Sequence, residues 1–357
     1  MKNKRIFKLV GSIGIAVVLA VILLPAGCAP ENGNGDGDEN GPLKIGIFQI
    51  ISHPALDSAR EGFKDAFKAS LEAEGLTEGD VVFTESNAAG SMDLCYTIAD
   101  YFVAQGVDLI CAIATPCVIA AATAVNGTDI PVVFNSVTEP VDAGVVDSWD
   151  VPGGQVTGVS DYAPVTPQIQ LILDIFEDEA NNLTLNKLGV MYNAGEPNSV
   201  YQVDVQLVEA LDDLGLTGNV TVVEATVSTG ADIPAAAQSL VDAAVDAIWI
   251  PTDNTVVAGI AGLVGPCEDN DIPLFAADVS TVEGGALGAW GMDYYDVGYA
   301  SGEMAAEILL EGANPATMPV QTVPMNLLYV YPQEAERQGV TIPEWIIDMA
   351  DEVVIDP

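Results

Sequence analysis

From Leu43 onward, short apolar runs rich in β-branched residues alternate with longer stretches whose apolar positions recur at helical spacing. KIGIFQI (44–50) predicts a strand, and HPALDSAREGFKDAFKASLEAEG (53–75), with Pro near its start and Gly at its end, predicts the helix that follows. VVFTESN (81–87), VDLICAIA (107–114) and IPVVFNSV (130–137) predict further strands, separated by helices over SMDLCYTIADYFVAQG (91–106) and PCVIAAATAV (116–125). Strand–helix alternation with short connections, and strands apolar on both faces, point to a parallel sheet covered by helices on both sides.

The rhythm then restarts. KLGVMYN (187–193) echoes KIGIFQI, and the loops after them carry Glu196-Pro197 and His53-Pro54 at matching offsets. VTVVEATV (220–227) answers VVFTESN, VDAIWIPTDN answers VDLICAIATP, and DIPLFAADVSTVEGG (271–285) answers DIPVVFNSVTEPVDAGV (129–145). Four strand–loop units recur in the same order, which predicts two similar Rossmann-like α/β lobes. DYYDVGYASGEMAAEILLEG (293–312) reads as a helix returned to the first lobe after the second sheet is complete. The expected division is 43–150 plus 293–317 for the first lobe and 151–292 plus 318–357 for the second, joined by a hinge.

Parallel sheets of this kind bind ligands in the crevice beyond the carboxyl ends of their strands. The polar residues at those ends are His53, Asn87, Thr115, Ser136 and Thr138 in the first half, and Asn193, Asn198, Ser199, Asp253, Asn254 and Asp278 in the second. Each alone is equally an ordinary turn former or helix cap; their recurrence at equivalent positions predicts an interlobe ligand cleft. Asp253 and Asp278 each follow an apolar strand directly. A carboxylate at that depth needs a cation or several donors, and with so few Lys and Arg the cation is expected from the ligand. Arg60 is the only cation near a rim, and a surface pair with Asp57 at i,i+3 accounts for it. Tyr162, Tyr192 and Trp290 lie close enough to the rims to be candidates for stacking on a ligand side chain, or for plain packing.

The N-terminus follows another pattern. MKNKRIFKLVGSIGIAVVLAVILLPAGCAP has a basic start, an apolar run over 9–24 and small residues up to Cys28. This is the layout of a secretory signal over 1–27, with a single-span anchor as the competing reading. Ala26 and Gly27 before Cys28 resemble a bacterial lipobox, in which the Cys is lipidated; Pro25 departs from the Leu usual there. APENGNGDGDENGP (29–42) lacks apolar periodicity and calcium-loop spacing, so 28–42 is expected to be a flexible tether.

The chain of 357 residues carries 10 Lys+Arg against 52 Asp+Glu, a formal net charge of −42. That balance excludes nucleic acid as a partner, because phosphate binding requires a Lys/Arg footprint. It reads either as adaptation to high salt or as an acidic surface of no specific use. A single His and no CxxC pair argue against a zinc site and leave no cofactor expected. Cys111 reads as a small buried hydrophobe. Cys95 and Cys117 lie on helices that, if neighbours, would bring the two thiols together, which outside the cytoplasm permits a disulfide. No G-x-S-x-G, G-x-G-x-x-G or Walker motif points to an enzyme.

HPALDSAREGFKDAF, DLICAIATP, IPVVFNSVTEPVDAG, VMYNAGEPNSV, IPTDNTVVAG, PLFAAD and GMDYYDVGYASGEMAAEILL together resemble the tryptophan/tyrosine-type family of ABC-importer substrate-binding proteins, over roughly 43–357. The resemblance implies a type I periplasmic-binding-protein fold closing on a small ligand, typically an amino acid and often an aromatic one. It also implies a monomer tethered outside the membrane that serves an ABC permease. Carried over by motif, its cleft positions are Thr115, Ser136, Asn193, Ser199, Asp253, Asn254 and Asp278; Ser52, in ISHPALD, departs from the family pattern before the His. A sensor signalling to a membrane receptor, or a binder of a non-amino-acid solute, is the alternative.

Overall fold

A computed structural model describes residues 41–356. The expected signal segment, the lipidation site Cys28 and nearly all of the tether lie outside the described residues. In chain order the elements are β1 (Leu43–Gln49), α1 (Pro54–Ala73), β2 (Val81–Asn87), α2 (Met92–Gln105), β3 (Leu109–Ile113), α3 (Thr115–Ala124), β4 (Val132–Asn135) and β5 (Val156–Ser160). They continue with α4 (Thr166–Phe176), β6 (Lys187–Asn193), α5 (Pro197–Tyr201), α6 (Leu207–Asp213), β7 (Thr221–Val227), α7 (Ile233–Asp242), β8 (Ala247–Ile250), α8 (Asn254–Ala258), α9 (Ala261–Asp269), β9 (Leu274–Ala276) and β10 (Gly288–Gly291). The last are α10 (Tyr294–Glu311), β11 (Gln321–Thr322), β12 (Leu327–Val330), α11 (Pro332–Arg337), α12 (Glu344–Met349) and β13 (Glu352–Val353).

These strands form two sheets, ordered β11-β5-β4-β3-β1-β2 and β13-β12-β10-β9-β8-β6-β7. The internal repeat is therefore realised as topology: β2-β1-β3-β4-β5 and β7-β6-β8-β9-β10 have the same doubly wound order. Each has its switch point between the first and third strands of its half. All pairings in the first sheet are parallel; in the second, only the β10–β12 pair is antiparallel. The strand runs are apolar because both faces are covered: β3, β4 and β8 are buried along their whole length.

Sheet membership corrects the expected lobe division. β5 pairs with β4 in register Val132↔Val156, so the first lobe runs past 150. β11 pairs with β5 through Gln321↔Val159, so the chain is still in the first lobe after 317. β5 is short, contains Gly158 and follows the VPGG turn, so its hydrophobic signal is weak and the pattern predicts no strand there. Three passages thus join the lobes, between β5 and α4, between β10 and α10, and between β11 and β12.

The returned helix α10 packs against α1 at very short range. A Cβ on Gly298 would lie 1.9 Å from the Ala59 carbonyl oxygen, and one on Gly62 2.2 Å from that of Tyr295. Side-chain-free contact lets the two helix backbones touch, and it fixes two N-termini together: α1 is preceded by His53 and α10 begins at Tyr294.

Candidate functional site

The carboxyl ends of the strands converge between the lobes on a narrow cavity with about 10 Å³ of free space, barely the room of one water. Eight of the eleven predicted residues line it: His53, Thr115, Ser136 and Thr138 from the first lobe, and Asn198, Asp253, Asn254 and Asp278 from the second. The remaining lining is Leu56, Asp161, Thr252, Val257 and Tyr294. The lobes touch directly here through His53 Nε2 and Asn254 Oδ1 at 3.3 Å and through the Thr138 and Thr252 hydroxyls at 3.4 Å.

Local backbone aims several of these groups. Ala114, between β3 and α3, sits at φ 78° and ψ 155°, and Ser136, after β4, at φ 59°. Such conformations cost about 1–3 kcal/mol for a non-glycine residue, and here they turn the chain sharply from strand end to cavity wall. Thr115 Oγ1, His53 Nδ1 and Asn198 Oδ1 are buried and have no hydrogen-bond partner within the protein. Buried polar atoms are normally paired, so three unpaired ones on one cavity mark it as a place for a polar ligand.

The three cavity carboxylates differ in what they already hold. Asp253 is saturated: it accepts from Ser199 Oγ at 2.6 Å, from the Asn193 N–H at 2.6 Å and from the Val256 N–H at 2.8 Å, capping α8. Burial pushes its carboxyl well above the usual range, and the neighbouring Glu196 adds to this. Asp278 accepts from the Ser280 N–H at 2.8 Å. Burial raises its carboxyl too; only a charge on the His53 ring would draw it back down. Asp161 accepts from Thr138 Oγ1 at 3.0 Å and Tyr294 Oη at 3.1 Å; burial outweighs both bonds and pushes it up to about 6. Among the described residues, no Lys or Arg lines the cavity.

Three predicted residues fall elsewhere. Ser199 is committed to Asp253. Asn193 bonds Thr255 Oγ1 at 2.9 Å and the Gly195 N–H at 2.8 Å, lining a crevice of about 330 Å³ shared with Gly90, Met92 and Pro116 of the first lobe. Asn87 is exposed and accepts from the Ala89 N–H at 2.7 Å, an ordinary turn. None of the three candidate stacking aromatics reaches the cavity: Tyr192 is buried with its hydroxyl on Glu224, Tyr162 packs edge-on to Trp149, and Trp290 lines an outer groove beside α12. Tyr294 is the aromatic ring on the cavity wall. Arg60 pairs with Asp57, Glu61 and Glu85, away from the cavity. Cys95 and Cys117 do meet, with Sγ atoms 3.7 Å apart, but both are free thiols.

Sequence reasoning missed Asp161, Thr252 and Tyr294. Asp161 follows β5 by the same strand-end rule, but the strand itself was unread. Glu196 was noticed only as the repeat partner of His53. It accepts from the N–H groups of Asn254 and Thr255 at 3.1 and 3.0 Å, and from Asn254 Nδ2 and Thr255 Oγ1 at 2.6 and 2.7 Å. Behind the rim, a π-helical turn (Gln202–Gln206) connects α5 to α6 in one continuous segment. From it Gln202 Oε1 accepts from the Thr252 N–H at 2.6 Å, while Gln206 Nε2 donates to the Ala163 carbonyl at 3.1 Å, on the first passage between the lobes.

Comparison with known proteins agrees with this geometry. A tyrosine-binding protein of Clostridioides difficile is 37% identical over 331 residues, covering 90% of this chain and 89% of its own. A Streptococcus pneumoniae ABC domain solved in complex with L-Trp is 31% identical and superposes with a TM-score of 0.78, covering 88% of this chain and 100% of that one. A ligand-free, open substrate-binding protein with adhesive properties from Clostridium difficile is 34% identical with the same coverage, yet its TM-score is 0.61. At similar identity, this chain superposes better on the L-Trp complex than on the ligand-free, open structure. The architecture is the type I periplasmic-binding-protein fold. Residues 44–354 match the model of the ABC transporter substrate binding protein family, and the chain belongs to that family.

Proposed function

We propose that this chain is the extracytoplasmic, lipid-anchored binding component of an ABC importer and that it captures an amino acid, with an aromatic side chain, between its lobes. The observation that carries the reading is the make-up of the cavity. Acceptors (Asp278, Asp161 and the Asn198 carbonyl) share it with the hydroxyls of Thr115 and Ser136 and an apolar wall of Leu56, Val257 and Tyr294. An ammonium pairs with Asp278, which has fewer bonds of its own than Asp253. The ligand carboxylate takes the Thr115 and Ser136 hydroxyls near the start of α3, where the helix dipole favours negative charge. The relatives that bind tyrosine and tryptophan support an aromatic ligand.

With so little free space in the closed form, a ligand enters when the lobes part, and contacts from the second lobe then exclude water around it. The few direct lobe-to-lobe hydrogen bonds leave the ligand to supply most of the differential stabilisation of the closed form. Cys28 is the proposed lipid anchor, 1–27 the signal segment and 28–42 the tether that lets the folded part reach a permease.

The test is a thermal-shift screen against the twenty amino acids at low and high salt. A ligand at about 100 times its dissociation constant adds about 2.7 kcal/mol of stability. The expected result is a rise with Tyr, Trp or Phe that Asp278→Ala removes; a flat response to all twenty would sink the amino-acid assignment.

A further inference from the structure

Asn254 stands between the two residues that the internal repeat places at equivalent positions, Glu196 and His53. Every hydrogen bond that the Glu196 carboxylate makes here is one it accepts, and Asn254 supplies two of them, from its backbone N–H at 3.1 Å and its Nδ2 at 2.6 Å. Turning the amide over would set its oxygen against a carboxylate oxygen at that short distance, so the orientation is fixed by its partner. Asn254 Oδ1 therefore faces His53 Nε2, 3.3 Å away across the cleft. An oxygen lone pair there requires a proton on Nε2. In a neutral ring the other nitrogen, Nδ1, then carries a lone pair, and that atom is buried and unpartnered on a residue only 7% exposed.

We infer that the Glu196–Asn254 pair locks His53 in its Nε2–H tautomer, making Nδ1 a specificity-determining acceptor that reads a hydrogen-bond donor of the ligand. The donor is an N–H or O–H group, the ammonium of an amino acid being the first candidate. This rests on the amino-acid reading of the cavity. It gives one ring two roles that operate together only in the closed form: Nε2 latches the first lobe to the second, and Nδ1 contacts the ligand. A ligand of the same shape that presents an acceptor at that point would face the lone pair and be rejected.

His53 is the only histidine in the sequence, so the full-length chain labelled with 15N-histidine gives one imidazole to read. The expected spectrum in the complex with L-Tyr or L-Trp shows a protonated Nε2 and an unprotonated Nδ1, with the Nδ1 signal shifted on ligand addition. In a second measurement, His53→Gln keeps an N–H for Asn254 but has no counterpart of Nδ1, and its affinity for the same ligand should fall about tenfold or more. Glu196→Gln, which can present an amide N–H to Asn254, should release the lock and mix the tautomers. A complex in which Nδ1 is protonated, alone or together with Nε2, overturns the proposal even if every variant folds poorly. So does His53→Gln binding with unchanged affinity. Failure of every amino acid to bind would remove the ligand reading and this proposal together; it is distinguished from the other outcomes because those require a bound complex.

Discussion

Replacing Asp161, a buried carboxyl in the binding cavity, by Asn should make the protein more stable at neutral pH. Burial holds this group at about 6 in the folded chain against an ordinary 3.8. Between those two values the folded state binds more protons than the unfolded state, so stability falls as pH rises through the window and the loss is complete above the folded value. The difference amounts to about 3 kcal/mol. Roughly 2 kcal/mol of it develops between about pH 4.5 and pH 7.5. Asn cannot ionise and escapes the penalty. It still offers an oxygen to Thr138 or Tyr294 but loses one of the two acceptors, which returns about 1 kcal/mol at every pH. The decisive quantity is the stability of Asp161→Asn minus that of the wild type, measured by urea unfolding at both pH values; the other titrating groups cancel from it. It should rise by about 2 kcal/mol from the lower pH to the higher. A difference independent of pH would refute the reasoning, since it would mean that the carboxyl is solvated or already paired. The same substitution is expected to weaken amino-acid binding, so stability and affinity move in opposite directions.

Two other predictions concern the scaffold. Gly298→Ala places a methyl where the Ala59 oxygen is 1.9 Å away, forcing α1 and α10 apart. The loss should reach the upper end of the about 1–3 kcal/mol typical of overpacking, and a change below about 0.5 kcal/mol in urea unfolding would contradict the contact. The net charge of −42 makes self-repulsion a destabilising force that salt relieves, the screening length dropping from about 10 Å at 0.1 M to about 3 Å at 1 M. The melting temperature should climb steadily with NaCl over that range; a flat or falling curve would show that the acidic surface is already screened or paired.

Much of this fold was legible because each lobe is built from local units. The short apolar runs gave β1, β2 and β6 to within a residue, and the repeat anticipated the shared strand order. What escaped was set by tertiary closure. β5 has little apolar signal, and it becomes a strand because Val156 pairs beside Val132. Asn87 obeyed the strand-end rule and still missed the cavity, since β2 is the edge strand and its end lies outside the switch point between β1 and β3. The strand-end rule marks height in the sheet; only strand order tells which columns face the ligand. The aromatic candidates failed for a related reason: Tyr192 points its hydroxyl toward β7, and Trp290 faces α12. A sequence window cannot say which of two covered faces turns inward.

The π-helical turn at Gln202–Gln206 makes one part of the chain tolerant of substitution but intolerant of a change in length. An α-helix advances about 100° per residue. The π turn already takes up one extra residue, so inserting another there would rotate everything beyond it by that angle. Gln206 would swing away from Ala163, and the Leu207, Ala210 and Leu211 stripe would leave the core it fills. Exposed positions of the same segment, such as Val208 at 58% exposure, can change identity freely. The extra residue acts as a gear tooth between the ligand rim and the passage joining the lobes. A single-codon insertion here is therefore predicted to do more harm than many scattered replacements.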